Sequence, residues 1–319
     1  MGLINAGIKI RNKKGIFFTM MAILIISLFV LSYTFYNEIK EDKSVNNRVN
    51  TMNNFLFSVE KDLERQMYIF GFRTIFLIEK KIVETGTYRT NINQTFHEAF
   101  FNGTIYGEAQ ALLNDAKFSH FNNTINNNAK KINVDIIFSD PKVEVTQDDP
   151  WHIKVTLIAD LEMSDIGGVA LWKKTEKISG RISVENFEDP IYYTITSGRA
   201  SNKITRTPYT DFSVIADFSE HATNSYYKAD SDAPSFLDRL AGNITIANPQ
   251  GIESIVNLQK LSQQGVSVQE KSTIDHIYFS SDNPSFGCVN GMPSWFRIDD
   301  THADKYNVTV GGCSGGLFE

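Results

Sequence analysis

Residues 15–70 read GIFFTMMAILIISLFVLSYTFYNEIKEDKSVNNRVNTMNNFLFSVEKDLERQMYIF, and the change of character inside this stretch decides the fold. From Gly15 to Asn37 no side chain is charged. About 20 apolar residues at 1.5 Å each cross a hydrocarbon core of about 30 Å. A helix buried in a soluble protein is rarely apolar on every face over such a length. Tyr33, Phe35 and Tyr36 stand at the far end, where amphipathic rings favour a membrane interface. The sequence therefore predicts a transmembrane helix over 15–37, with the lipid bilayer as its first partner.

Beyond that span the apolar positions thin to Val45, Val49, Met52, Leu56, Val59, Leu63 and Phe70. Spacings of four and three make a heptad seam, with Asn46, Asn47, Arg48, Asn53, Glu60 and Lys61 filling the intervals. One long stalk helix is expected to leave the membrane, with a break near Gly71. Its Val45–Leu63 stripe packs either on the chain's own ectodomain or on other membrane or filament subunits. Flanking charge sets the orientation. Lys9, Arg11, Lys13 and Lys14 precede the span, and Glu38, Lys40, Glu41, Asp42 and Lys43 follow it with mixed sign. The positive-inside rule places residues 1–14 in the cytoplasm and the bulk of the chain outside the cell. A cleaved secretory signal fits less well, because the apolar core exceeds 7–15 residues and no A-x-A-type site follows.

A second helical stretch is expected over 96–130, in two pieces around Gly103 and Gly107. The period then changes to alternation over 133–138, 142–146, 152–163 and 169–184, with turn signals at Asp140-Pro141, Asp148-Asp149-Pro150 and Asp165 to Gly168 between the runs. The last two runs read as a long antiparallel hairpin. The fold class is α+β, with an antiparallel β-meander in a 38–186 unit. Asn186-Phe187-Glu188-Asp189-Pro190 looks like a junction to a second, irregular α+β lobe over 187–319. Short elements are expected there near 191–196, 233–241, 274–279 and 300–306.

The net charge is -6, and no Lys/Arg run interleaves with aromatics, so nucleic acid is not an expected partner. The only cysteines, Cys288 and Cys313, fall in the compartment that the orientation makes oxidising. A disulfide across them would add about 3.5 kcal/mol by loop entropy. A free thiol pair or metal ligation is the alternative, although no zinc-type spacing surrounds them. The sequons at Asn93, Asn102, Asn122, Asn243 and Asn307 are candidate glycosylation sites, but about four N-x-[ST] matches arise by chance in so Asn-rich a chain.

Carboxylates crowd at Asp299, Asp300 and Asp304 around His302, and again at Asp230 and Asp232. Such groups could bind a hard cation, yet neither matches an EF-hand loop and Asp often caps a helix. The expectation is no metal and no cofactor. His97, His120, His152, His221, His276 and His302 make no HExxH or HxH pattern, and no nucleophile elbow, P-loop or GxGxxG occurs. Gly311-Gly312-Cys313-Ser314-Gly315-Gly316 has no helix after it to cradle phosphate. No catalytic residue is assigned, and the chain is not expected to be an enzyme.

Lys13-Lys14-Gly15, directly before IFFTMMAILIISLFV, resembles a type IV pilin, or class III, signal sequence. The resemblance implies that a membrane peptidase cuts between Gly15 and Ile16, and that the helix stays in the membrane or packs into a filament core. A long N-terminal helix followed by an antiparallel sheet is that family's order too. GRISVENFEDPIY, SFLDRLAGN and GMPSWFRIDD resemble segments of uncharacterised archaeal surface proteins with such anchors. In one respect the chain departs from major pilins, which carry Glu at the fifth mature position, where this sequence has Met20. That speaks against a repeating filament subunit and leaves a tip or initiating role open, since large minor pilins and pseudopilins at filament tips can also lack the Glu. The expected function is a membrane-anchored extracytoplasmic surface protein acting through protein contacts in filament assembly, adhesion or envelope structure. The alternatives are a receptor ectodomain needing a separate signalling subunit, and an anchored hydrolase.

Overall fold

The computed structural model describes residues 13–313 and 315–318. Lys9 and Arg11, half of the basic flank, lie outside the described residues. Helix α1 runs unbroken over Lys13–Thr85, 73 residues, or about 110 Å at the α-helical rise. Neither Gly nor Pro interrupts the sequence between Ile16 and Phe70.

The expected break at Gly71 does not occur. Gly71 lies where the helix presses on the sheet. A Cβ there would come within 2.5 Å of Ile182 Cδ1 and 2.9 Å of Val155 Cγ2. On the sheet side, a Cβ at Gly180 would lie 2.6 Å from the Met67 carbonyl carbon and would also strike the Tyr68 nitrogen. The two glycines allow close approach of helix and sheet, so Gly71 serves packing rather than a hinge.

The two parts of α1 have opposite surroundings. Its N-terminal apolar side chains are uncovered, with Phe18 at 69% and Phe29 at 72% exposure. From Met52 onward the seam is buried through Leu56, Val59, Leu63, Met67 and Phe70, continuing to Ile75, Ile78 and Ile82. The covering surface is the chain's own sheet. Val45 stays exposed and Val49 is half-buried. The seam from Met52 is thus filled within the chain, and the apolar surface N-terminal to it is left uncovered. At the start of the contact, Arg48 donates to Asp165 at 2.5 Å and to the Asn133 carbonyl at 2.6 Å.

Helix α2 (Ile92–Asn102), a short hairpin of β1 (Thr104–Ile105) and β2 (Glu108–Ala109), and α3 (Phe118–Lys131) come next. Gly103 ends α2 in the left-handed region at φ 71. The ring of Phe100 meets Phe70 edge-on at 4.9 Å between centroids and Phe121 at a tilt at 5.4 Å, tying α1, α2 and α3 together.

The sheet is a three-stranded antiparallel meander of β3 (Val134–Asp149), β4 (His152–Asp165) and β5 (Leu171–Ser183). The first two alternating runs are one strand. Asp140-Pro141, read as a turn, is a bulge between Ser139 and Lys142, with Asp140 at φ 48. A bulge leaves its extra residue outside the ladder, so Pro141, without an N–H, sits there without losing a ladder bond.

The second lobe holds α4 (Pro190–Ile195), α5 (Ile215–Asn224), β6 (Tyr227–Ala229), α6 (Phe236–Ala241) and β7 (Ile252–Ser254). After them come α7 (Leu258–Gln263), α8 (Asp275–Tyr278), β8 (Phe286–Gly287), β9 (Ile298–Asp299) and α9 (Asp300–Lys305). Its own core gathers Phe212, Phe218, Trp295, Phe296 and Tyr306. Tyr227, Phe236, Leu240 and Ile252 belong instead to the core of the helix and sheet. The Arg89 amide donates to the Leu240 carbonyl, and the Tyr193 hydroxyl to Val83 at 2.9 Å. The second lobe is built onto the first through a shared core. Cys288 and Cys313 are joined by a disulfide, with their Cα atoms 5.0 Å apart.

Candidate functional site

The densest buried chemistry lies where β7, α8 and α9 meet. Strand β7 pairs antiparallel with β6 and places Glu253 opposite Lys228. Glu253 is 0% exposed, inside the buried run Ile252–Val256. Two histidines converge on it. His302 Nε2 lies 3.3 Å from Glu253 Oε2, and His276 Nε2 lies 3.6 Å from the same oxygen. The three donor atoms fall within 4.8 Å of one another. Both Glu253 oxygens and both Nε2 atoms lack a hydrogen-bond partner.

Each histidine is set by a local device. Asp299 caps α9, accepting from the His302 amide at 3.1 Å, and the same carboxylate meets His302 Nδ1 at 2.8 Å. It also accepts from the Ser272 hydroxyl at 2.7 Å, which fixes its rotamer. Capping requires this three-residue spacing, and here the spacing also orients the imidazole. With Nδ1 facing a carboxylate, the Nε2 lone pair points into the cluster when the ring is neutral.

His276 is placed by its neighbour. Asp275 accepts from the Ser254 amide at 3.0 Å and hydroxyl at 2.8 Å, lashing α8 to β7. Asp275 also meets Arg239 Nη1 at 2.9 Å, and Asp189 meets that nitrogen at 2.5 Å. Arg239, on α6, is wholly buried and donates as well to the Ile252 carbonyl. The residues on both sides of Glu253 are therefore held by this arginine and its aspartates. Tyr227 completes the assembly, donating to Asp189 at 2.8 Å.

Charge extends outward from the triad. Lys228 Nζ lies 3.5 Å from Glu253 Oε1 and 3.6 Å from Asp230. Lys305 bridges Asp230 at 2.5 Å and Asp232 at 2.8 Å. Burial pushes the Glu253 carboxyl up, but the two imidazoles and Lys228 outweigh it and hold it well below the carboxylate range. Burial lowers His302, while Asp299 and Glu253 raise it, for a net rise to about 9. Burial pushes the Tyr306 phenol well up, and Glu253 adds to it.

Of the Asp299–Asp304 group singled out in the sequence, Asp299 and His302 enter this cluster. Asp300 and Asp304 face solvent. Asp230 reaches the cluster only through lysines, and the exposed Asp232 pairs with Lys305. Sequence reasoning missed Glu253 and His276. A single carboxylate inside the apolar segment GIESIV was the available signal, since a charge is seldom buried without a partner.

The remaining candidates are dispersed. Asn93, Asn102, Asn243 and Asn307 are exposed, while Asn122 is half-buried and bonded to Asn126. Gly15 and Ile16 lie in the uncovered part of α1. The disulfide lies beside a cleft of about 520 Å³ lined by Cys288, Met292, Pro293, Arg297 and Gly312.

Comparison with protein-family models, curated proteins and solved structures finds no match for this chain.

Proposed function

We propose that this chain is a membrane-anchored extracytoplasmic surface protein of pilin-like build, acting through protein contacts in filament assembly, adhesion or envelope structure. One observation carries the reading. A single continuous helix is uncovered and apolar over its N-terminal part, and embedded in an antiparallel sheet over its C-terminal part. By length and composition that helix can cross a membrane. Burying a Leu, Ile or Phe side chain is worth about 1.5–3 kcal/mol, so this many apolar groups require lipid or the apolar helices of other subunits around them. An antiparallel sheet on the second part then holds the head against the same rod. In this reading Ile16 begins the mature chain, and Met20 in place of Glu suits a tip or initiating subunit.

The test is direct. External protease on intact cells is expected to remove most of the chain, and the mature N-terminus is expected at Ile16. Protection of the region beyond residue 44 overturns the orientation. An intact N-terminus removes the pilin-type processing.

A further inference from the structure

We propose that Glu253, His276 and His302 bind one divalent transition-metal ion of the zinc class, which pins β7, α8 and α9 together as a structural centre. The inference stands apart from membrane anchoring, since it concerns only the second lobe. Each reading can fail without the other.

Geometry carries it first. A charge-assisted N–H···O bond closes to about 2.7–2.9 Å, but the two imidazole nitrogens stand 3.3 and 3.6 Å from Glu253 Oε2 and make no hydrogen bond. Ligands around a tetrahedral ion with bonds of about 2.0–2.1 Å are separated by roughly 3.3 Å. Both separations exceed a charge-assisted hydrogen bond and lie near the separation of two atoms on one metal, and all three donor atoms fall within 4.8 Å of one another.

Burial makes the same point. Glu253, His302 and His276 are 0, 4 and 8% exposed. Buried polar atoms are almost always paired. Here four of them converge without a hydrogen bond, Glu253 meeting only the looser ion-pair contacts of Lys228 and the two imidazoles, whereas the neighbouring buried charges Arg239 and Asp275 are hydrogen-bonded. Asp299 on His302 Nδ1 supplies the carboxylate–imidazole support found behind metal-bound histidines.

The donor set selects the ion. Two nitrogens and one carboxylate suit zinc and its neighbours, whereas calcium and magnesium ask for oxygen. Thiolate-seeking ions have no ligand, because both cysteines are in the disulfide. Charge is consistent as well. The linked carboxylates of Asp230, Asp232, Glu253 and Asp299 outnumber the ammonium groups of Lys228 and Lys305 by two, so a divalent ion leaves the cluster neutral. Three protein donors leave the fourth tetrahedral position to water, and the burial of all three side chains, rather than their number, is what favours a structural role.

The experiment uses the full chain in detergent, stripped with a chelator and dialysed against zinc, with bound metal measured by mass spectrometry. One zinc per chain and a higher melting temperature are expected. Glu253→Gln and His276→Gln are expected to lose the ion, and Asp299→Asn to bind roughly 10–100-fold more weakly. His152→Gln, which alters a histidine on the sheet paired with Asp149, is expected to bind as wild type. Cobalt substituted into the wild-type protein provides a readout that needs no variant. Intense visible bands of a four- or five-coordinate ion, abolished by zinc, are expected. Failure of the wild type to retain zinc, a cobalt spectrum like that of the hydrated ion, or full binding by both triad variants overturns the proposal.

Discussion

Asp275 and His276 are adjacent in the chain and serve two different buried assemblies. The Asp275 carboxylate turns to Arg239 and Ser254, while the His276 imidazole turns to Glu253. A single turn of helix thus joins the charge network of α6 to the triad, and a disturbance of either reaches the other.

Arg239→Met tests that link. The substitution leaves Asp189 and Asp275 buried without their cation, a change that typically costs about 3–5 kcal/mol. A large drop in melting temperature is expected from thermal unfolding of the detergent-solubilised chain. A variant as stable as wild type would show that the network contributes nothing to the fold.

Glu79 should set a pH dependence. Burial, then the neighbouring carboxylates of Glu188 and Asp189, push its pKa up to about 9. The folded protein keeps a proton that the unfolded chain releases near its ordinary value. Stability from this group is therefore complete below about pH 4.5 and is lost progressively as pH rises towards 9. Glu79→Gln is expected to stabilise by about 2–3 kcal/mol at pH 7 and to change little at pH 4. Equal effects at both pH values would exclude this assignment.

Gly180→Val examines the helix–sheet contact. The added Cβ meets the α1 backbone at Met67 and Tyr68, which cannot move as a side chain end can. Overpacking of this kind costs about 1–3 kcal/mol or more. Denaturant unfolding should show the loss, whereas an unchanged midpoint would mean that α1 and β5 do not approach so closely.

The seam itself is addressed by neighbours on α1. Leu56 is buried and Phe57 is 61% exposed. Leu56→Asp is expected to destabilise by about 3 kcal/mol or more, because it removes apolar burial and adds an unpaired charge. Phe57→Asp should stay within about 1 kcal/mol of wild type. Equal melting temperatures for the two variants would place the seam in solvent.

The parts legible in the sequence were those whose cause is local. The uncharged run before Asn37 and the four–three spacing to Phe70 gave the long helix, and alternation between turn residues gave the meander. Asp140-Pro141 was misread because a bulge and a turn use the same residues, and only the partner strand distinguishes them. Gly71 was misread for a similar reason, since what fills the space above it is Ile182, more than 100 residues away. The triad was half visible. Asp299 and His302 share a helix turn, and a cap was the correct local reading. Glu253 and His276 arrive from separate segments, so no spacing could announce their convergence.

The unbroken path from Ile16 to Phe70 has a mechanical consequence. The helix has no joint: no glycine or proline lies between its uncovered apolar part and the sheet. Residues 38–47 form a neck of about 15 Å, and the first clamp beyond it is Arg48 on Asp165. A head mounted this way cannot swivel on its rod. Were its apolar end gripped, torque on the distal lobe would pass along α1 with no glycine or proline joint to absorb it. Inserting glycines into the neck would uncouple the two.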